Sequence, residues 1–180
     1  DPHTSDHAPL LLAAEQELCA SCHGEVAEAV AGDHAHEIAS DCSSCHAGHE
    51  SAFPSLLASD ARTVCLDCHD DPSAGGAPET HQPAAVNCLA CHEPHGTGRP
   101  AMLVAREGEL CITCHPAVGA ATLLPVVHSP VATGDCTGCH NPHAGPAQLL
   151  KAEGTELCAE CHQSTLAAAA ELPQHLPFED

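Results

Sequence analysis

Cysteine and histidine are the residues of this sequence whose types and spacing can do chemistry. The pattern Cys-x-x-Cys-His occurs seven times: Cys19, Cys22 and His23; Cys42, Cys45 and His46; Cys65, Cys68 and His69; Cys88, Cys91 and His92; Cys111, Cys114 and His115; Cys136, Cys139 and His140; Cys158, Cys161 and His162. These motifs use all 14 cysteines. Two thiols at that spacing can add to the two vinyl groups of a haem, and the following His then sits under the iron as proximal ligand. A zinc site does not need His in that place every time, and a thioredoxin-like redox site needs one motif in a βαβ setting. Seven copies, each closed by His in a chain without strand signals, point instead to seven covalent c-type haems.

The histidine supply decides what else those irons meet. Of 17 histidines, ten are not proximal: His3, His7, His34, His36, His49, His81, His95, His128, His143 and His175. Seven irons take at most seven sixth ligands, so supply exceeds demand. Most of the ten also recur at fixed places in a repeat. The motifs start 23, 23, 23, 23, 25 and 22 residues apart, and they alternate in character. The motifs at Cys42, Cys88 and Cys136 follow Asp41, Asn87 and Asp135, and each carries a second His three residues past the proximal one, at His49, His95 and His143. Another His precedes each of these motifs: His34 or His36, then His81, then His128. Counting back from the following cysteine, His34 matches His128, so the frame selects His34 over His36. One full unit spans about 46 residues with two haem motifs and two further histidines. A His three residues past the proximal one cannot reach round to the same iron, so it is expected to bind an adjacent haem and tie neighbours into close pairs. His7 has no counterpart and reads as a surface residue. Met102, within an apolar run, reads as packing against a haem rather than as an axial ligand.

The alternating motifs and the His-x-Pro-His extensions at His92 to His95 and His140 to His143 resemble the doubled-CXXCH multihaem cytochromes c over nearly the whole chain. The resemblance implies bis-histidine haems in a closely spaced chain that carries electrons rather than transforming a substrate. No catalytic residue is then expected, and the partners would be other redox proteins or extracellular acceptors. Multihaem nitrite and hydroxylamine enzymes keep one iron open, and their markers are a Lys in place of a proximal His or an essential Tyr. Here every motif ends in His and Tyr is absent, so a reductase ranks behind a carrier. Metal storage would explain none of the motif regularity and ranks lower still.

The elements that must position these groups are meagre. There is no Trp and no Tyr, with two Phe and one Met against 15 Pro and 13 Gly. Such a chain cannot build an ordinary aromatic-rich core. Porphyrin faces can take that role, which makes the polypeptide a thin sleeve that does not fold without haem. The expected fold is one haem-packed unit over 1–180, mostly irregular with short α-helices and little or no β. Helices are expected over 14–22, 25–31, 153–161 and 165–172. The Pro- and Gly-rich stretch 72–83 reads as a loop rather than a linker, because the motif spacing continues across it.

Twenty-five acids face four bases, Arg62, Arg99, Arg106 and Lys151. That balance disfavours nucleic acid and anionic membranes as partners. It leaves basic proteins or metal cations possible, and is explained most simply by a soluble, self-repelling surface. No run is long enough to span a membrane. Haem attachment of this kind follows export, so a removed leader and an extracellular location, or else a periplasmic one, are expected.

The two ends read as halves of one unit. His3 stands 16 residues before Cys19, as His49 does before Cys65 and His95 before Cys111, and His175 and His128 each lie 13 residues past a proximal His. With these two the repeat-frame histidines number eight for seven irons. The pattern suits a head-to-tail homopolymer. It resembles the extracellular cytochrome filaments called nanowires, in which a His of one subunit can ligate a haem of the next. A monomeric electron shuttle is the alternative.

Overall fold

The computed structural model describes residues 4–7 and 10–171. Within them lie eight helices: α1 (Glu15–Ala20), α2 (Gly24–Val30), α3 (Ala61–Leu66), α4 (Gln82–Val86), α5 (Glu107–Cys114), α6 (Pro116–Ala121), α7 (Ser129–Thr133) and α8 (Gly154–Ala170). The two-residue strands β1 (Glu79–Thr80) and β2 (Ala144–Gly145) form one antiparallel ladder. The rest of the described residues form single 3₁₀ turns, other turns and coil.

The alternation of motifs has a local cause. Helices α1, α3, α5 and α8 lead into the first, third, fifth and seventh motifs. Acids occupy their first turns at Glu15, Glu17, Glu107, Glu109 and Glu156, next to the positive helix end. Asp60 caps α3 by accepting from the Thr63 amide at 3.1 Å. The other motifs follow an Asp or Asn whose side chain bonds two or three residues on, and at the second motif Asp41 accepts from the hydroxyls of Ser43 at 3.2 Å and Ser44 at 2.8 Å. Asn87 Oδ1 accepts from Leu89 N at 3.1 Å, and Asp135 Oδ1 from Gly138 N at 3.0 Å. That local bond competes with helix, so the motifs at Cys42 and Cys88 open in a single 3₁₀ turn. The helices expected over 153–161 and 165–172 are joined in α8, which leaves helical geometry at His162 (φ −110°, ψ 32°).

Successive motifs are clasped in twos. The Glu15 carboxylate accepts from the Ser43 amide at 2.6 Å, and the Glu107 carboxylate from the Thr137 amide at 2.5 Å. Gly108 and Gly134 meet so closely that a Cβ on Gly108 would lie 2.8 Å from the Gly134 Cα. In the middle pair, Arg62 donates to the Ala85 carbonyl and to Asp71, each at 2.8 Å.

The described residues form no core of apolar side chains. Among the described residues no apolar side chain is buried, and Gly96 and Gly145 alone are buried at all. The chain exposes 12839 Å², whereas surface scaling for 18.4 kDa gives about 8,200 Å². Leu12, Leu123 and Val126 are 83%, 85% and 89% exposed. What organises the chain is not packing of side chain on side chain.

Candidate haem centres

Each proximal His follows its second cysteine by one residue, so its ring position is set by the motif. What faces it is set by the fold. Among the described residues five proximal rings stand opposite a histidine from outside the motifs. The ring centroids of His46 and His95 are 6.0 Å apart, His69 and His36 5.8 Å, His92 and His143 6.1 Å, His115 and His81 6.1 Å, and His162 and His128 6.0 Å. Two metal–imidazole bonds of about 2.1 Å, plus about 1.1 Å from each ring nitrogen to its centroid, put coaxial rings about 6.4 Å apart. The observed spacing fits one iron between each pair. Two rings bound to one iron would both contain the metal axis, so interplanar angles from 13° to 78° would be compatible with that placement as a twist about it.

Two relations generate the five pairs. A His ahead of an even-numbered motif faces the proximal ring of the next motif: His36 with His69, His81 with His115, His128 with His162. A His three residues past an even motif faces the proximal ring two motifs earlier: His95 with His46, His143 with His92. The two kinds meet along backbone. Ala35 pairs antiparallel with Gly96, and Thr80 with Ala144. His81 N donates to the His143 carbonyl at 2.8 Å, and His81 Nδ1 bonds the Pro142 carbonyl at 2.9 Å. Two opposing rings on adjacent backbone thus bring the rings of successive motifs near one another. Burial, with His92 and His81 beside it, lowers the His143 pKa and favours the neutral imidazole that a metal requires.

The crossing at Gly96 is tight. A Cβ there would lie 2.8 Å from the Ala29 carbonyl oxygen and 2.9 Å from the Ala35 Cα, on a backbone with φ +128°. Gly96→Ala is expected to destabilise the haem-loaded protein by about 1–3 kcal/mol, the range for an imposed strained backbone. Gly48→Ala, with nothing within 4 Å, serves as the control. Denaturant unfolding measured on both variants checks this.

The cysteines show the same order. Burial raises the thiols of Cys42, Cys65 and Cys111, the last to about 11, and their neighbours are Cys19, Cys88 and Cys136. Cys45 and Cys91 are raised likewise, beside Cys68 and Cys114. Attachment points of consecutive motifs therefore meet alternately through first and second cysteines.

Not every expected ligand is placed so. The repeat frame selected His34, but the ring opposite His69 is that of His36, while His34 is exposed and its carbonyl lies against Gly96. The distance from this His to the next cysteine is six, seven and eight residues for His36, His81 and His128. What the three share is a carbonyl that accepts from the following turn, from Ala39 N at 2.9 Å, Ala85 N at 3.2 Å and Ala132 N at 3.0 Å. That turn varies in length, so counting back from cysteine lands on His34, whereas the ring placed opposite His69 is that of His36. His49 is exposed, and among the described residues no ring faces His49, His23 or His140. His7 is exposed, with Leu11 bridged to it. His3 and His175 lie outside the described residues.

One recurrent feature escaped the sequence reading. Nδ1 of His46, His92 and His140 bonds the carbonyl of Ser55 (2.8 Å), Ala101 (2.8 Å) and Gln148 (3.0 Å). These carbonyls sit in left-handed turns at Ser55-Leu56, Ala101-Met102 and Gln148-Leu149, with φ between 52° and 59°. Met102 thus belongs to a turn that holds a proximal ring. A recurring Pro eight residues past His46 and His92, six past His140, with Leu-Leu or Met-Leu soon after, was the available signal.

A family model described as the doubled CXXCH motif matches residues 1–28, 34–74, 81–120 and 128–167. No curated protein matches the chain.

Proposed function

The chain belongs to the doubled CXXCH motif family, which makes it a multihaem c-type cytochrome of electron transfer, and from that premise we propose that it holds seven covalent haems, bis-histidine ligated, as a subunit of an extracellular electron-transfer filament. Bound haem supplies one-electron chemistry, and the residues supply its attachment, axial nitrogens and order. The observation that carries the reading is the set of five ring pairs at 5.8–6.1 Å. The cysteines at 19 and 22, and their counterparts in the other six motifs, would hold the porphyrins. His46, His69, His92, His115 and His162 would bind iron opposite His95, His36, His143, His81 and His128.

Support for the filament comes from what those relations leave over. His23 would need a histidine ahead of an earlier even motif, and His140 one behind a later even motif. On copies set head to tail, His175 of one and His3 of the next would hold those frame positions. The edge ahead of His128 supports the same joint. The equivalent edges at Ala35 and Thr80 are paired, whereas among the described residues no strand lies on Val127, the residue in the same place, and its neighbour Val126 stands 89% exposed. Ser5 Oγ donates to the Leu11 carbonyl as Ser51 Oγ donates to that of Leu57, so the first described residues repeat the tail of a doubled motif. Among the described residues no helix is long and apolar enough to cross a membrane.

Intact mass of the purified protein should exceed the polypeptide by seven haems, and negative-stain images should show filaments. His3→Ala and His175→Ala should shorten them and turn one haem in seven high-spin, with His7→Ala doing neither. A monodisperse monomer at high concentration, with every axial ring from its own chain, would leave a soluble carrier in place of the filament.

A further inference from the structure

We propose that the left-handed turns at Ser55-Leu56, Ala101-Met102 and Gln148-Leu149 are positioning devices that set the even-numbered haems at lower potential than the odd ones, with the haem of the Cys42 motif lowest. The proposal rests on the haem reading above. Two consecutive non-glycine residues in the left-handed region are disfavoured at each position, yet the same pair recurs three times at the same place. Each turn is held by an identical set of bonds. After the second motif Ala47 N donates to the Leu56 carbonyl at 2.7 Å and Ala58 N to that of Cys45 at 2.8 Å. After the fourth, Glu93 N donates to the Met102 carbonyl and Val104 N to that of Cys91, both at 2.9 Å. After the sixth, Asn141 N donates to the Leu149 carbonyl at 2.7 Å and Lys151 N to that of Cys139 at 2.9 Å. The strained carbonyl that remains in each turn is the one accepting from the proximal Nδ1–H.

That bond fixes the tautomer, leaving Nε2 to bind iron, and it holds the ring's rotation about the metal axis. It also makes the imidazole a stronger electron donor, which favours the ferric state and lowers the potential. Among the described residues the proximal rings of the odd motifs, His23, His69, His115 and His162, have no such Nδ1 partner. The opposing rings add two further bonds. His95, which faces His46, bonds the Glu93 carboxylate through Nδ1 at 3.1 Å. His81, which faces His115, bonds the Pro142 carbonyl. The haem at His46 therefore has both rings held, one of them by a negative charge, while that at His69 has neither held.

The test is a spectroelectrochemical titration of the haem-loaded protein. Glu93 is half-exposed, its side chain 45% accessible, so Glu93→Gln leaves the fold in place. One seventh of the haem absorbance change, the most negative part, should move to higher potential, while Glu171→Gln, which removes the same charge at the end of α8, should move none. Met102→Pro forbids the left-handed turn and should raise another seventh, whereas Ala101→Gly keeps the carbonyl and should raise none. Unchanged titrations in both Glu93→Gln and Met102→Pro, on protein carrying seven low-spin haems, would overturn the proposal and leave the haem reading standing. Fewer than seven haems by mass would strike the haem reading itself.

Discussion

Produced without haem attachment, the chain should show no cooperative unfolding: its circular dichroism is expected to drift with denaturant, and protease to degrade it throughout. Ordering each residue costs roughly 1–2 kcal/mol, and among the described residues no buried apolar side chain offsets this. The helices are too short to stand alone. Seven of the eight described have eight residues or fewer, below the roughly 12–15 at which isolated helices become even marginal. Four basic residues against 25 acids add self-repulsion. The haem-loaded protein should instead resist denaturant, because the exposed apolar side chains then have porphyrin faces to cover. A stable apoprotein with a single sharp transition would refute the idea that porphyrins supply the core.

The second large effect separates two histidines that stand two residues apart. His36→Ala should convert one haem of seven from low-spin to high-spin, with a new ferric high-spin resonance and carbon monoxide binding after reduction. His34→Ala should leave the spectrum unchanged. The reason is the 5.8 Å spacing of the His36 and His69 rings against the exposed place of His34. If His34→Ala alone produced the high-spin species, the pairing deduced from the rings would be wrong at this motif, and the repeat count back from Cys42 would be right.

The sequence by itself determined the chemistry and the scarcity of structure. Seven motifs with His directly after the second cysteine specify covalent attachment and a proximal ligand, since both depend on residues within five positions of one another. Scarce aromatics and frequent Pro and Gly specify short helices and coil. The switch between motif types was legible too, because Asp41, Asn87 and Asp135 bond groups two or three residues away, hydroxyls at Asp41 and amides at the other two. The tertiary structure alone decided which ring faces which. His46 and His95 are 49 residues apart, and His92 and His143 are 51. Their meeting depends on the backbone crossings at Ala35 with Gly96 and Thr80 with Ala144, which only a buried glycine permits at the first. The choice of His36 over His34 depended on the length of one turn, a quantity that residue counting cannot supply. The hold on the even proximal rings lay deeper still. It comes from a backbone carbonyl in a left-handed turn built of Ser, Ala, Leu, Met and Gln, none of which marks that conformation in a sequence, because the surrounding hydrogen bonds rather than local preference impose it.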